Sequence, residues 1–212
     1  MTTLEEILDG KIITILRGLD KETTLKTADA LLKGGIHLIE LPFDQTKPLS
    51  YTTDKIQAVC EHLKSEHVLV GAGTVLTAAQ VQAAHDAGAS YIITPTTCRD
   101  VIEKTKALGM VAMPGAMTPT EIEQCYHWGA DIVKIFPSDN LGPAYIKAVR
   151  GPLGYIPMAA VGGVDLNNIQ DFFKAGVCSV GIGGNIVNKK MLEAGEYDKI
   201  TKLAKAYIEK IQ

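Results

Sequence analysis

Two ionisable side chains lie in the middle of apolar runs, where a charge is costly to bury. Lys134 lies in the run 132–135, and Glu40 lies in the run 37–41. Burial disfavours an ammonium, so it lowers the pKa of a lysine and favours the neutral amine. A neutral amine can attack a ketone to form a Schiff base, and a nearby carboxyl can move the protons. We therefore predict that Lys134 is a catalytic nucleophile and that Glu40 is a general acid/base. The alternative is a structural buried ion pair.

A comparison within the chain strengthens the case for Lys134. The segments 88–95 and 129–137 both begin with Gly-Ala and continue into an apolar run. When they are aligned on that dipeptide, Lys134 takes the place of Ile93. The lysine therefore replaces a buried aliphatic side chain, unless its ammonium reaches water at the strand end.

Other candidates follow the apolar runs. Arg17 ends the first run, and its guanidinium suits a carboxylate or phosphate, although a solvated rim arginine is equally compatible. Glycines let backbone N–H groups approach an anion closely. We expect phosphate at the pairs that follow the last two runs, although turns also use such pairs: Gly162, Gly163, Gly183 and Gly184.

Three further segments are candidates for the substrate pocket. We interpret the sequence 71–74, after the third run, as a tight turn that places Gly73 and the Thr74 hydroxyl beside a substrate carboxylate. Pro95, after the fourth run, and Phe136, after Lys134, are expected to form pocket walls. For Pro95 the alternative is a simple turn.

The elements that must position these residues form a repeat. Apolar runs alternate with amphipathic stretches, and the runs are continuous, as in parallel strands covered on both faces. Thr77–Gln80 and Thr118–Glu121 are predicted capping boxes at helix starts. We predict strands within eight runs: 12–16, 37–41, 68–70, 91–93, 110–113, 132–135, 156–161 and 178–182.

This alternation predicts an α/β fold, either a closed (β/α)8 barrel or an open doubly wound sheet. No G-x-G-x-x-G opens the first βα turn, and the glycines cluster after the third, seventh and eighth runs. We therefore predict a (β/α)8 TIM barrel with a single domain over residues 1–212, whose site lies at the carboxyl ends of the strands. Period two places Leu38 and Glu40 on one face, and Glu40 meets Lys134 if that face points inward.

Composition excludes several classes of function. The net charge is -3 and aromatic residues are only 6%, so no nucleic-acid partner is expected. No apolar run approaches the ~20 residues that span a bilayer, so no membrane partner is expected either. The start of the chain lacks a basic n-region, which predicts a cytoplasmic protein. The histidines do not cluster, and the four cysteines are far apart, so neither a metal nor a disulfide framework is predicted: Cys60, Cys98, Cys125 and Cys178.

With these residues in view, the chain resembles the class I pyruvate aldolases of the 2-keto-3-deoxy-6-phosphogluconate aldolase and 4-hydroxy-2-oxoglutarate aldolase family. The resemblance extends from about residue 12 to residue 187. Its landmarks, in order and spacing, are the segments 15–18, 38–40, 70–76, 114–121, 134–137 and 161–163.

The resemblance implies a role for each matching position. Lys134 corresponds to the Schiff-base lysine, Glu40 to the general acid/base, Arg17 to a substrate-contacting arginine and Thr74 to a hydroxyl near the pyruvate carboxylate. The two glycine pairs fall on the phosphate-binding segments. The family also implies a barrel, a phosphorylated keto-acid substrate, a homotrimer, and no metal or other cofactor.

Three positions depart from the gluconate-type pattern. Asp44 stands where that pattern has an arginine, Val161 where a threonine is common, and Gly184 where a serine is common. Pro42 and the segment 160–163 are more similar to the 6-phosphogalactonate branch. Three alternatives stay open: a 4-hydroxy-2-oxoglutarate aldolase with an idle phosphate site, a non-catalytic phosphometabolite-binding barrel, and another phosphate-binding barrel enzyme such as an epimerase or isomerase.

Overall fold

A computed structural model describes all residues, 1–212. All strands are parallel and form one sheet in the order β5-β4-β3-β2-β1-β9-β8-β7-β6. The strands are β1 (Ile12–Ile15), β2 (Leu38–Pro42), β3 (Leu69–Gly73), β4 (Tyr91–Ile93), β5 (Val111–Met113), β6 (Gly115–Ala116), β7 (Val133–Ile135), β8 (Met158–Val161) and β9 (Ser179–Ile182).

Helices alternate with these strands and cover the outside of the sheet. They are α1 (Thr3–Gly10), α2 (Lys21–Lys33), α3 (Ser50–His62), α4 (Ala78–Asp86), α5 (Arg99–Ala107), α6 (Pro119–His127), α7 (Ser138–Leu153), α8 (Ile169–Lys174), α9 (Lys189–Glu193) and α10 (Tyr197–Ile211). The predicted (β/α)8 barrel is confirmed.

The barrel closes through its fifth strand, which proline divides into two short pieces. Pro114 separates β5, which pairs with β4, from β6, which pairs with β7. The ring is completed by the N–H of Asp131, which donates to Ala112 O (3.0 Å), and by the N–H of Lys134, which donates to Pro114 O (2.8 Å). We predicted eight strands and the sheet has nine, because proline lacks the N–H that would continue the ladder.

The strands bury both faces, as their continuous apolar runs predict. A large cluster packs between the strands and the outer helices, and a smaller one fills the inside of the barrel. Ile7 of α1 joins the inner cluster and is fully buried, so α1 closes one end of the barrel. The other inner residues are Ile13, Leu38, Tyr91, Ile93, Val111, Met113, Ile132 and Ala159.

The two predicted capping boxes have different outcomes. Thr118 and Glu121 form the full reciprocal box at the start of α6, with Pro119 in its first turn. At α4 the prediction is half wrong: Thr77 accepts from Gln80 N, but the Gln80 side chain accepts from Leu76 N (2.7 Å) instead of Thr77 N. Gln80 is buried, and its amide nitrogen also donates to Gln45 Oε1, which turns the side chain away from the box.

Two observations concern the membrane and metal-binding functions that the sequence argued against. None of the helices has both the length and the apolar character needed to cross a bilayer. No group of three or more histidine, cysteine, aspartate or glutamate side chains is placed to hold a metal ion.

Candidate active site

Lys134 lies on β7 with its side chain inside the barrel, and only 6% of the residue is exposed. Its Nζ is 4.5 Å from the centroid of the Phe136 ring and takes part in no ion pair. Burial lowers the pKa of the Lys134 amine, while Glu40 raises it and Arg17 lowers it further. The net effect favours the neutral amine, which is the nucleophilic form.

Glu40 lies on the inner face of β2 and is 1% exposed. Burial raises the pKa of its carboxyl, and the positive charges of Lys134 and Arg17 partly oppose this effect. Its Oε2 atom has no hydrogen-bond partner. A buried carboxylate oxygen without a partner is costly, which is typical of a group that serves a ligand or a proton transfer. Leu38, two residues before Glu40 on β2, and Ala159, which pairs with Lys134 across the sheet, both belong to the inner cluster, so Glu40 and Lys134 face the same interior.

Two glycines of β3 provide the space for this arrangement. A Cβ on Gly73 would overlap the Glu40 carboxylate, and one on Gly71 would overlap the Tyr91 ring. The prediction that residues 71–73 belong to a turn is therefore wrong, because β3 continues to Gly73. The signal that was missed is the two-residue spacing of the glycines, which indicates close approach of other groups to one face of a strand.

The turn begins instead at Thr74, whose φ of 52° lies in the left-handed region. This conformation is uncommon for a residue with a branched side chain. Gln45 Nε2 donates to Thr74 O (2.8 Å), and Gln80 Nε2 donates to Gln45 Oε1 (2.9 Å). Sequence reasoning missed both glutamines, because their contacts join loops and helices that are about thirty or more residues apart, with no local pattern.

A cavity of about 350 Å³ opens at the carboxyl ends of the strands. It brings together seven of the predicted site residues: Arg17, Lys134, Phe136, Gly162, Gly163, Gly183 and Gly184. The other four predicted residues do not line this cavity: Glu40, Gly73, Thr74 and Pro95. Of these, Glu40 and Gly73 lie against each other, and the backbone of Pro95 packs on Gly115, the neighbour of Lys134 across the sheet.

The glycine segments that line the cavity contain backbone N–H groups without an acceptor in the protein. The N–H groups of residues 162–164, which follow β8, donate to no protein acceptor, and neither do those of residues 183–185, which follow β9. Unpaired N–H groups on two strand ends that line one cavity can bind an anion. Arg17 adds a positive charge at the same cavity.

Comparison with known proteins agrees with this geometry. The family model "Aldolase: KDPG and KHG aldolase" matches residues 4–203. The chain belongs to this aldolase family. A probable 2-dehydro-3-deoxy-6-phosphogalactonate aldolase from Rhizobium meliloti (strain 1021) is 36% identical over 190 residues, which cover 89% of this chain and 87% of that protein.

Two further relatives place the chain within the KDPG and KHG aldolase family. The 2-dehydro-3-deoxy-6-phosphogalactonate aldolase of Escherichia coli (strain K12) is 32% identical over 95% of this chain and 96% of its own length. A solved structure described as native KDPGal is 31% identical, with a TM-score of 0.85 and coverage of 94% of this chain and 93% of its own. The predicted family resemblance is confirmed.

Proposed function

We propose that this protein is a class I aldolase. It reversibly cleaves a 2-keto-3-deoxy-6-phospho-sugar acid to pyruvate and glyceraldehyde 3-phosphate. The observation that carries the proposal is Lys134, a buried amine without an ion-pair partner at the wall of an open cavity, together with the unpartnered Oε2 atom of Glu40.

The reaction begins when the Lys134 amine attacks the C2 ketone of the substrate. The carbinolamine loses water and becomes a protonated imine. Glu40, directly or through a water, removes the proton of the C4 hydroxyl, the C3–C4 bond breaks, and its electrons enter the imine to give an enamine. The aldehyde leaves, the enamine is protonated at C3, and hydrolysis releases pyruvate and restores the lysine.

The remaining residues bind the two ends of the substrate. Arg17 supplies a guanidinium for an anionic group, and the Thr74 hydroxyl and the backbone of Gly73 are assigned to the pyruvate carboxylate end. Pro95 and Phe136 form walls. The phosphate occupies the backbone donors of the glycine pairs: Gly162, Gly163, Gly183 and Gly184.

We assign the 6-phosphogalactonate epimer as the preferred substrate. The matches to two relatives with that name span 87% and 96% of those relatives' lengths, and Pro42, at the end of β2, is a position where the sequence resembles that branch. The assignment is tested by comparing kcat/KM for the galactonate and gluconate epimers. A preference for the gluconate epimer, or for 4-hydroxy-2-oxoglutarate, would contradict it.

The decisive test of the Schiff base is chemical trapping. The protein is incubated with pyruvate and borohydride, and the adduct is located by mass spectrometry of peptides. We expect one reduced adduct, on Lys134, and none on Lys55, the other buried lysine. If the folded protein traps no adduct, the class I aldolase proposal is wrong. A non-catalytic phosphometabolite-binding barrel or another phosphate-binding barrel enzyme would then be the better explanation.

The family resemblance also leads us to propose a cytoplasmic homotrimer. Light scattering of the purified protein measures the subunit number, and a monomer or dimer would refute the trimer.

A further inference from the structure

The cavity offers an anion few polar or charged side chains. Its lining includes no serine, threonine or tyrosine hydroxyl, and its positive groups are Arg17 and Lys134. Lys134 is the nucleophile of the proposed reaction, so it is not available for the phosphate. Recognition of a phosphate ester therefore depends on the direction in which the peptide N–H groups of residues 162–164 and 183–185 point.

Those directions are set by the carbonyls of the same peptides. In a trans peptide the C=O and the following N–H point in opposite directions, so a hydrogen bond to the carbonyl fixes the N–H. Asn168 Nδ2 donates to Gly163 O (2.8 Å), which fixes the N–H of Val164. Gly183 O accepts from Ile186 N (3.0 Å), which fixes the N–H of Gly184 in the same way.

The segment 162–164 needs such support because its backbone is intrinsically free. Gly162 and Gly163 have φ values of 105° and 69°, and an unbraced glycine samples many other conformations. Val161 N is anchored by the buried hydroxyl of Ser138 (3.0 Å), so the segment is fixed where it leaves β8. Its other end is held by Val164 O, which accepts from Asn185 Nδ2 (2.8 Å).

Asn185 belongs to the second donor segment, so this bond joins the two glycine segments directly. The side chain reaches across 21 residues of sequence and connects the loop after β9 to the loop after β8. With its amide in place, the two sets of N–H groups keep a fixed separation. No other hydrogen bond joins the two segments.

We propose that Asn185 is a positioning residue for a phosphate monoester: it locks the segments 162–164 and 183–185 together so that both sets of N–H groups face one phosphate. This inference rests on the proposed aldolase function and names a determinant of its preference for phosphorylated substrates. Asn185 acts through Val164 and takes no part in Schiff-base chemistry.

The test uses the aldol direction, with pyruvate as donor and two acceptors, glyceraldehyde 3-phosphate and unphosphorylated glyceraldehyde. Loss of one hydrogen bond is expected to raise KM for the phosphorylated acceptor about 3- to 10-fold in Asn185→Ala. The kinetics with unphosphorylated glyceraldehyde and the rate of borohydride trapping with pyruvate stay at wild-type values. Asn185→Gln retains an amide donor, so its KM for the phosphorylated acceptor should lie between those of the wild type and Asn185→Ala.

The matched control is Asn167→Ala, since Asn167 is an exposed asparagine on the loop after β8, the loop that Asn185 contacts, and its side chain makes no hydrogen bond. It should leave both acceptors unchanged. Equal losses with both acceptors, or no loss with either, would overturn the role of Asn185. If wild-type protein traps no pyruvate, the aldolase proposal itself fails, so the two failures are distinguishable.

Discussion

Lys134 and Lys55 lie in two different regions of the molecule, and each residue is only 6% exposed. Lys134 is inside the barrel, whereas Lys55 is on α3 in the outer layer. Burial lowers the pKa of both amines. Exposure and pKa direction therefore do not separate a catalytic lysine from a structural one.

The partners of the two amines do separate them. Lys55 Nζ donates to Leu19 O (3.1 Å) and lies 3.8 Å from the centroid of the Tyr51 ring. It therefore clamps the β1–α2 loop onto α3. Lys134 has the Phe136 ring beside it but no comparable acceptor, and it borders the cavity of about 350 Å³ at the carboxyl ends of the strands. A buried amine is available for chemistry when its hydrogen-bonding capacity is left unused.

The largest expected effect comes from giving both regions the same substitution. Lys134→Met removes the nucleophile, so retro-aldol turnover should fall to the uncatalysed level while the fold is kept. Lys55→Met should retain turnover and instead lower the free energy of unfolding by about 1–3 kcal/mol, because Leu19 O loses its donor. Steady-state kinetics and urea denaturation measure the two outcomes.

Reversal of this pattern would remove the distinction between the regions. An active Lys134→Met protein would exclude the Schiff-base mechanism. A folded Lys55→Met protein without turnover would show that the outer lysine also serves the reaction.

The sequence predicts the inner lysine better than the outer one for a physical reason. Lys134 and Glu40 interrupt apolar strands, so their cost of burial is visible in the local pattern. Lys55 lies on a helix whose pattern does not mark it, and its burial depends on the β1–α2 loop far away in the chain. The barrel itself follows from the repeated apolar runs, because they are local.

The sequence did not reveal the contacts between distant loops or the exact ends of the strands. The relay from Gln80 through Gln45 to Thr74 and the bond from Asn185 to Val164 join segments that have no shared periodicity. The extension of β3 through Gly73 was missed because glycine disfavours strands in general. It is tolerated here because Glu40 occupies the space of the absent side chain.

The second prediction compares the carboxylates that act on the two lysines. Glu40→Gln should slow turnover about 10²- to 10⁴-fold, since it removes the group that transfers protons, while pyruvate is still trapped on Lys134. The matched change is Asp44→Asn, because Asp44 is an exposed carboxylate whose charge acts on Lys55. The Asp44→Asn variant should not change the trapping of pyruvate on Lys134. It should also not change the exchange of the pyruvate methyl protons with solvent, which is measured by deuterium incorporation. Unimpaired proton exchange in Glu40→Gln would remove Glu40 from its role.

The smallest effect is a shift in pH dependence, and its sign distinguishes the two charges that act on Lys134. The rate of pyruvate trapping falls at acid pH as Lys134 is protonated, so its acid limb reports the pKa of that amine. Glu40 raises this pKa and Arg17 lowers it. Glu40→Gln should therefore move the acid limb to lower pH, and Arg17→Met should move it to higher pH. The control Asp44→Asn should leave the limb in place, because Asp44 acts on the pKa of Lys55 instead. Shifts in the same direction for the two inner variants would mean that Lys134 does not lie between these opposing charges.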